Sequence, residues 1–391
     1  MNTSRLKSVL VVVAALCFAT SSAMAAEPAK PAVDDSKPWS PAPSDSRGAS
    51  AEQRKTEIGK KNRPYYDAKV FDLNDLPVYT PTRTVGGKIR IWGLNYLTDS
   101  SVAKYWMEGF KKFHPGVTFD WNTPTGLVAF PGLIANLADI GTNRRISFDE
   151  MLMFNRTFGY DPTEVMFATG SYNVPGWAPA LAFFVHKDNP LTKISMNQID
   201  GIFGAERNGA YEGVTWHKDR KRGPEKNIRK WGQMGLTGEW AEQTINPYGR
   251  STRMHQHMRI EELAFQGSTK WNEHTKESYR EQVQDLSSDR YGIAWGNVTL
   301  QTPETKILAV SFKDEGPFVV PSLQTIRDRT YPFAGGSYMY LNRKPGTELD
   351  PKVKEFVLYV LSRNGQSDLA RDGKWLPLTL KALEKGRAAI K

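Results

Sequence analysis

Gly87-Lys88-Ile89-Arg90-Ile91-Trp92 opens the stretch whose reading decides the fold, and Val117-Thr118-Phe119-Asp120-Trp121 closes it. Both segments alternate with period two, the pattern of strands with one face toward a core. Between them, Gly93-Leu94-Asn95-Tyr96-Leu97-Thr98-Asp99 reads as a loop. A helix is then predicted from Ser100 to Phe113, because Val102, Trp106 and Phe110 fall on one face. His114-Pro115-Gly116 stops it. After the second strand come a Gly/Pro/Thr loop and a predicted helix from Gly132 to Leu137. This repetition argues for an α/β domain with a mostly parallel sheet. Ligands of such sheets sit beyond the carboxyl ends of the strands, where helix N-termini and free N–H groups favour an anion. The loops at 93–99, 122–132 and 141–147 are therefore the first places to look for a site.

Further along, Leu181-Ala182-Phe183-Phe184-Val185-His186 is an apolar strand fit for burial on both faces. Met196 to Phe203 reads as a short amphipathic helix. The basic excursion 205–230, with Arg207, Lys218, Arg220, Lys221, Arg222, Lys226, Arg229 and Lys230, reads as a solvated surface loop. Val353, Phe356, Val357 and Val360 mark a core-facing helix ending near Asn364-Gly365.

Upstream, residues 61–86 hold Tyr65, Tyr66, Val70, Phe71, Leu73 and Leu76 and read as an arm that docks on the first domain. Residues 26–60 are rich in Pro, Ala, Ser and Lys and read as a disordered tether. Residues 1–25 read as a cleaved secretory signal: Arg5 and Lys7, an apolar run from Val9 to Phe18, then Ala23-Met24-Ala25. That run is too short to span a bilayer. A periplasmic address follows.

Composition agrees with an exported globular protein. Of 391 residues, 39% are hydrophobic and 24% charged, so cores can form, and the length allows two or three domains. The single cysteine, Cys17, excludes an intrachain disulfide and a thiolate zinc cluster, and leaves with the signal. The formal charge is +10, or +8 once Arg5 and Lys7 are removed. Without an RNP, zinc-finger or basic-heptad pattern, nucleic acid is not the expected partner; anionic small molecules, lipids or proteins are. No nucleophile elbow, Walker A motif or HExxH is present, so no enzyme activity and no cofactor are expected.

An ordered set of segments resembles the phosphate-binding protein of phosphate ABC transporters, within the type II periplasmic solute-binding family. Gly87-Lys88-Ile89-Arg90-Ile91-x-Gly93 is similar to its opening strand. Ala138-Asp139-Ile140-Gly141 with Arg145, Val185-His186-Lys187-Asp188-Asn189-Pro190-Leu191, Gln198 with Gly201-Ile202-Phe203-Gly204, Trp231-Gly232-Gln233-Met234-Gly235 and Ile245-x-Pro247-Tyr248-Gly249-Arg250 follow in order. Tyr338-Met339-Tyr340-Leu341-Asn342 and Leu376-Pro377-Leu378 complete it. The resemblance implies a two-lobed α/β fold with a hinge of two crossover strands, near Pro179 and near Pro321 to Pro332. Lobe one is expected over 87–178 and 332–391, and lobe two over 179–331. It also implies capture of phosphate or a related oxyanion by lobe closure, delivery to an inner-membrane ABC permease, and a monomer.

The family's ligand loops are matched unevenly. Asn95 replaces a hydroxyl residue in the first loop. Thr125 and Gly126 stand in the second, where Pro124 removes an N–H donor. Asn143, Arg144 and Arg145 stand in the third. Arg250 fits the family's arginine, with Ser251 and Thr252 as the nearest hydroxyls after it. Loss of hydroxyls and gain of arginine point to a larger or more highly charged anion. With no carboxylate among these loop residues, selection of fully ionised oxyanions is expected. Two alternatives stand beside this: a binding fold with an eroded pocket acting as an interaction protein, and a metal-handling protein using His255 and His257. On a helix those two imidazoles lie about 200° apart and cannot chelate together.

Overall fold

The computed structural model describes residues 64–174, 177, 179–250, 255–277 and 282–391. The signal and tether readings lie outside the described residues. Two lobes follow, each built on a five-stranded sheet. The first begins with β1 (Gly87–Gly93), β2 (Val117–Asn122), β3 (Ile140–Asn143) and β4 (Thr163–Ala168). The second carries β5 (Leu181–His186), β6 (Lys193–Ser195), β7 (Ala210–Glu212), β8 (Thr215–His217), β9 (Asn246–Arg250), β10 (Lys276–Glu277), β11 (Gly292–Asn297), β12 (Thr305–Ile307) and β13 (Ala309–Ser311). The chain then returns to the first sheet as β14 (Ser337–Leu341). Sheet orders are β2-β1-β3-β14-β4 and β10-β9-β11-β5-β12. β1 runs parallel to β2 and β3, with Ile91 opposite Trp121 on one side and Ile140 on the other; β14 is antiparallel to both its neighbours. No helix of the described residues is long and apolar enough to cross a membrane.

The period-two reading holds in β1, where Ile89 and Ile91 are buried and Lys88 is exposed. β5 is buried throughout, as its unbroken apolar run requires. The segment read as the loop 93–99 carries a helical turn at Tyr96–Asp99, and the helix predicted after it spans only Val102–Lys111, burying Val102, Trp106 and Phe110. Its start is fixed from afar: Ser101 N–H donates to the Asp372 carboxylate at 2.8 Å. The helix predicted over 132–137 lies earlier, at Ala129–Ile134. Pro131 sits in its first turn, where a missing N–H costs nothing. Asn136, in left-handed backbone (φ 55°), follows its end.

Residues 64–85 lie against the C-terminal part of the chain. Tyr65 and Tyr66 N–H both donate to Gly373 O at 2.9 Å, and Arg363 N–H to Pro77 O at 2.7 Å. Tyr79 is buried, its hydroxyl 2.6 Å from Glu355 Oε2 and 2.7 Å from His114 Nε2. Five tryptophans (Trp106, Trp177, Trp231, Trp295, Trp375) are fully buried, so these serve as core.

The solvated-loop reading of 205–230 holds for Lys218, Lys221, Lys226 and Lys230, which are exposed, and is corrected for two of its arginines. Arg207 and Arg222 are buried, and Arg207 grips Asp200 with two bonds of 2.8 Å. Arg222 Nε lies 3.4 Å from the same carboxylate. A carboxylate at the buried edge of the helix Met196–Phe203 needs counter-charge, and the excursion supplies it.

Candidate functional site

The carboxyl ends of β1, β2 and β3 bring the three predicted loops together. Gly93 has φ +132°, and a Cβ there would lie 2.0 Å from Thr142 O. Glycine thus lets the first loop lie on β3, where Leu94 N–H donates to Thr142 O at 2.9 Å and to Thr142 Oγ1 at 2.8 Å. Asn95 is buried, and its amide donates to Asp99. Gly126 makes room for Asn143, whose Oδ1 would sit 2.3 Å from a Cβ at that position. Asn143 Oδ1 in turn accepts from Arg144 N–H at 2.8 Å. Thr125 is half-buried and makes no cap to the turn Gly126–Val128.

The two arginines diverge. Arg144 lies over the Tyr96 ring, 5.2 Å from its centroid, and Tyr96 is stacked on Trp177 at 5.4 Å. Arg145 spans the lobes: it bonds Glu164 of β4 at 3.1 Å and Glu262 of the second lobe at 2.6 Å. Burial alone would lower its pKa, but the two carboxylates carry it above the ordinary arginine value. Tyr340 orders this corner, its hydroxyl accepting from Ile146 N–H at 2.9 Å and donating to Glu164 at 3.0 Å.

Two more arginines converge here. Arg259, on the helix His255–Leu263, bonds Glu262 at 2.9 Å, while its Nε is buried without a hydrogen-bond partner. Arg329, in the returning crossover, donates to Gly335 O at 2.8 Å. Burial pushes its pKa down, and repulsion from Arg259 and Arg145 pushes the same way against Tyr338. Arg144 and Arg329 have no ion-pair partner among the described residues. Among the described residues, Arg145, Arg259 and Arg329 thus share two carboxylates, with Arg144 in the wall of the same cavity, and desolvated like charges are costly without counter-charge. Arg144, Arg145, Arg259, Gly335, Gly336 and Tyr338 border a cavity of about 80 Å³. At roughly 10–15 Å³ per water, that holds a group of a few heavy atoms.

Asn143, Arg144, Arg145 and Gly126 are therefore neighbours, while the Asn95 side chain is spent on Asp99. Arg250 ends β9, but its side chain, like Ser251, Thr252 and the His255 side chain, lies outside the described residues. His257 Nε2 is 4.0 Å from Glu261, and no group of three metal-type ligands occurs among the described residues. The expectation of a site without carboxylates is corrected, since Glu164 and Glu262 both reach Arg145. Asp99 and Asp139, the remaining acidic residues of the loop region, are held by Asn95 and by Arg90. Sequence reasoning missed Arg259, Glu262 and Arg329. The i, i+3 spacing of the first two was a usable signal once a helix was placed there; Arg329 had none.

Comparison with known proteins places these features in context. Residues 151–364 match the family model described as a PBP superfamily domain. The phosphate-binding protein PstS of Pseudomonas aeruginosa, in strains PAO1 and UCBPP-PA14, is 30% identical over 312 residues, covering 79% of this chain and 89% of the relative. Among solved structures, PstS from Borrelia burgdorferi superimposes with a TM-score of 0.48 at 16% identity, over 75% of this chain and 99% of that one. An ABC-type phosphate transport receptor from Vibrio cholerae gives 0.45 at 16%, over 74% and 99%.

Proposed function

Because the chain belongs to the phosphate-binding proteins of the PBP superfamily, we propose that it captures phosphate or a related oxyanion between its lobes for an ABC transporter. The observation that carries this reading is the excess of guanidinium over carboxylate around the 80 Å³ cavity. An anion there is held from both lobes, by Arg144 and Arg145 on one and Arg259 on the other. Its binding favours closure and excludes water, which strengthens each charged contact. Thr125 and Gly126, beyond the parallel strands, are the expected neutral donors of the first lobe, and Asn143, whose amide already meets Glu150 and Arg144 N–H, orients the arginine loop. Arg250, Ser251 and Thr252, which follow β9, are the expected second-lobe ligands.

Binding and release proceed without chemical conversion of the ligand. The mature protein is a periplasmic monomer that docks on a permease and does not engage nucleic acid. The working division is lobe one over 87–178 and 332–391 and lobe two over 179–331. Calorimetric titration with inorganic phosphate tests the reading. Arg259→Ala is expected to weaken binding by roughly 2–5 kcal/mol, because a desolvated charge contact is lost. Arg290→Ala, at a half-exposed ion pair, is expected to change it by less than about 1 kcal/mol. Equal small effects would remove the arginine cluster from the site.

A further inference from the structure

Arg145 borders a second cavity, of about 510 Å³, far larger than inorganic phosphate needs and within the size of organic-ligand sites. Both lobes build it. Phe148, Asp149 and Met151 come from the helix Phe148–Phe158, and Tyr211, Met258 and Glu261 from the second lobe. The Tyr211 ring lies 4.9 Å from Phe148 across the cleft and 5.0 Å from Trp216 behind it. Its strand is held in place: Gly267 packs so closely that a Cβ there would lie 1.9 Å from Tyr211 O, and Arg220 donates to Gln266 O at 2.9 Å.

Resting on the reading above, we propose that the ligand is the phosphate monoester of a polyol, a sugar phosphate. Its phosphoryl group meets the arginines and its hydroxylated body fills the larger cavity. Three properties of the walls argue for this body. Ring faces and thioethers (Phe148, Tyr211, Met151, Met258) suit the C–H faces of a sugar. Asp149 and Glu262, when ionised, only accept hydrogen bonds, so the ligand must bring donors. Neutral hydroxyls fit better than an ammonium group, because Arg145 stands in the same wall and Asp149 is already favoured by the positive end of its helix.

Calorimetry on the mature chain with orthophosphate, glucose 6-phosphate, ethyl phosphate, phosphoethanolamine and glucose decides it. Glucose 6-phosphate is expected to bind about tenfold or more tighter than orthophosphate, ethyl phosphate and phosphoethanolamine. Tyr211→Ala is expected to reduce glucose 6-phosphate affinity at least about fivefold more than orthophosphate affinity. Orthophosphate or ethyl phosphate binding as tightly as the sugar phosphate would overturn the inference and leave oxyanion capture standing. Phosphoethanolamine binding tightest would overturn the polyol body in favour of a cationic one. Binding of none of the four phosphate compounds would overturn oxyanion capture as well.

Discussion

Glu262 sits between Arg145 and Arg259, at 2.6 and 2.9 Å, so a charge from the second lobe already occupies part of the guanidinium surface an oxyanion would use. It repels ions with no proton to donate and accepts from those that have one. Glu262→Gln keeps the shape and removes the charge. We expect sulfate to gain on phosphate by about tenfold, near 1.4 kcal/mol, in competition titrations. An unchanged ratio would take Glu262 out of the anion's surroundings. Its neighbour Glu261 behaves differently. Burial holds its carboxyl up at about 6, against the opposing hydrogen bond from Trp271 Nε1 at 2.6 Å. A raised carboxyl stabilises the fold below its unfolded value near 4.5, and that contribution is lost as pH rises through about 6. Glu261→Gln should therefore add up to about 2 kcal/mol at pH 7.5 and nothing at pH 4, read by urea unfolding. A gain at both pH values would point to packing instead. At this scale the loop at Asn143-Arg144-Arg145 was legible as a place to look, because it stands at the carboxyl end of a strand. Arg329 was not, because only the returning crossover brings it to them.

The helix Phe148–Phe158 joins the arginine loop to the larger cavity, and its start carries a reciprocal cap. Ser147 Oγ accepts from Glu150 N–H at 3.2 Å, and Glu150 accepts from Ser147 N–H at 2.8 Å. Ser147→Ala should cost about 1 kcal/mol in thermal or denaturant unfolding. A cost near zero would mean that packing of Phe154 alone fixes the helix. The helix Ala129–Ile134 was misplaced by three residues because Pro131 looks like a boundary when only its missing N–H is considered. The excursion 205–230 was misread for a related reason. Its charge run is polar in composition, but whether a charge is solvated depends on the partner the fold delivers, here Asp200. β1, β2 and β5 were legible because burial on one face or two leaves a periodic trace.

Across the whole molecule, the same cleft should couple ligand to stability. A ligand held by both lobes at about 100 times its dissociation constant adds roughly 2.7 kcal/mol. In a thermal-shift series, we expect stabilisation to grow with the logarithm of ligand concentration, and to be blunted when Arg144 is changed to Ala. A flat series across phosphate and its esters would favour the eroded-pocket alternative.

The two lobes also differ in how the chain reaches them. Every strand of the second sheet lies in one uninterrupted run, from β5 to β12. The first sheet waits for β14, and its helices and arm wait longer still: Tyr79 needs Glu355, Ser101 needs Asp372, and Tyr65 and Tyr66 need Gly373. Read from its amino end, the chain therefore supplies every strand of the second sheet before β14 arrives to complete the first. Long-range closure of this kind is slow. The first sheet thus stays incomplete, with β3 and β4 unbridged, until Ser337–Leu341 takes its place between them.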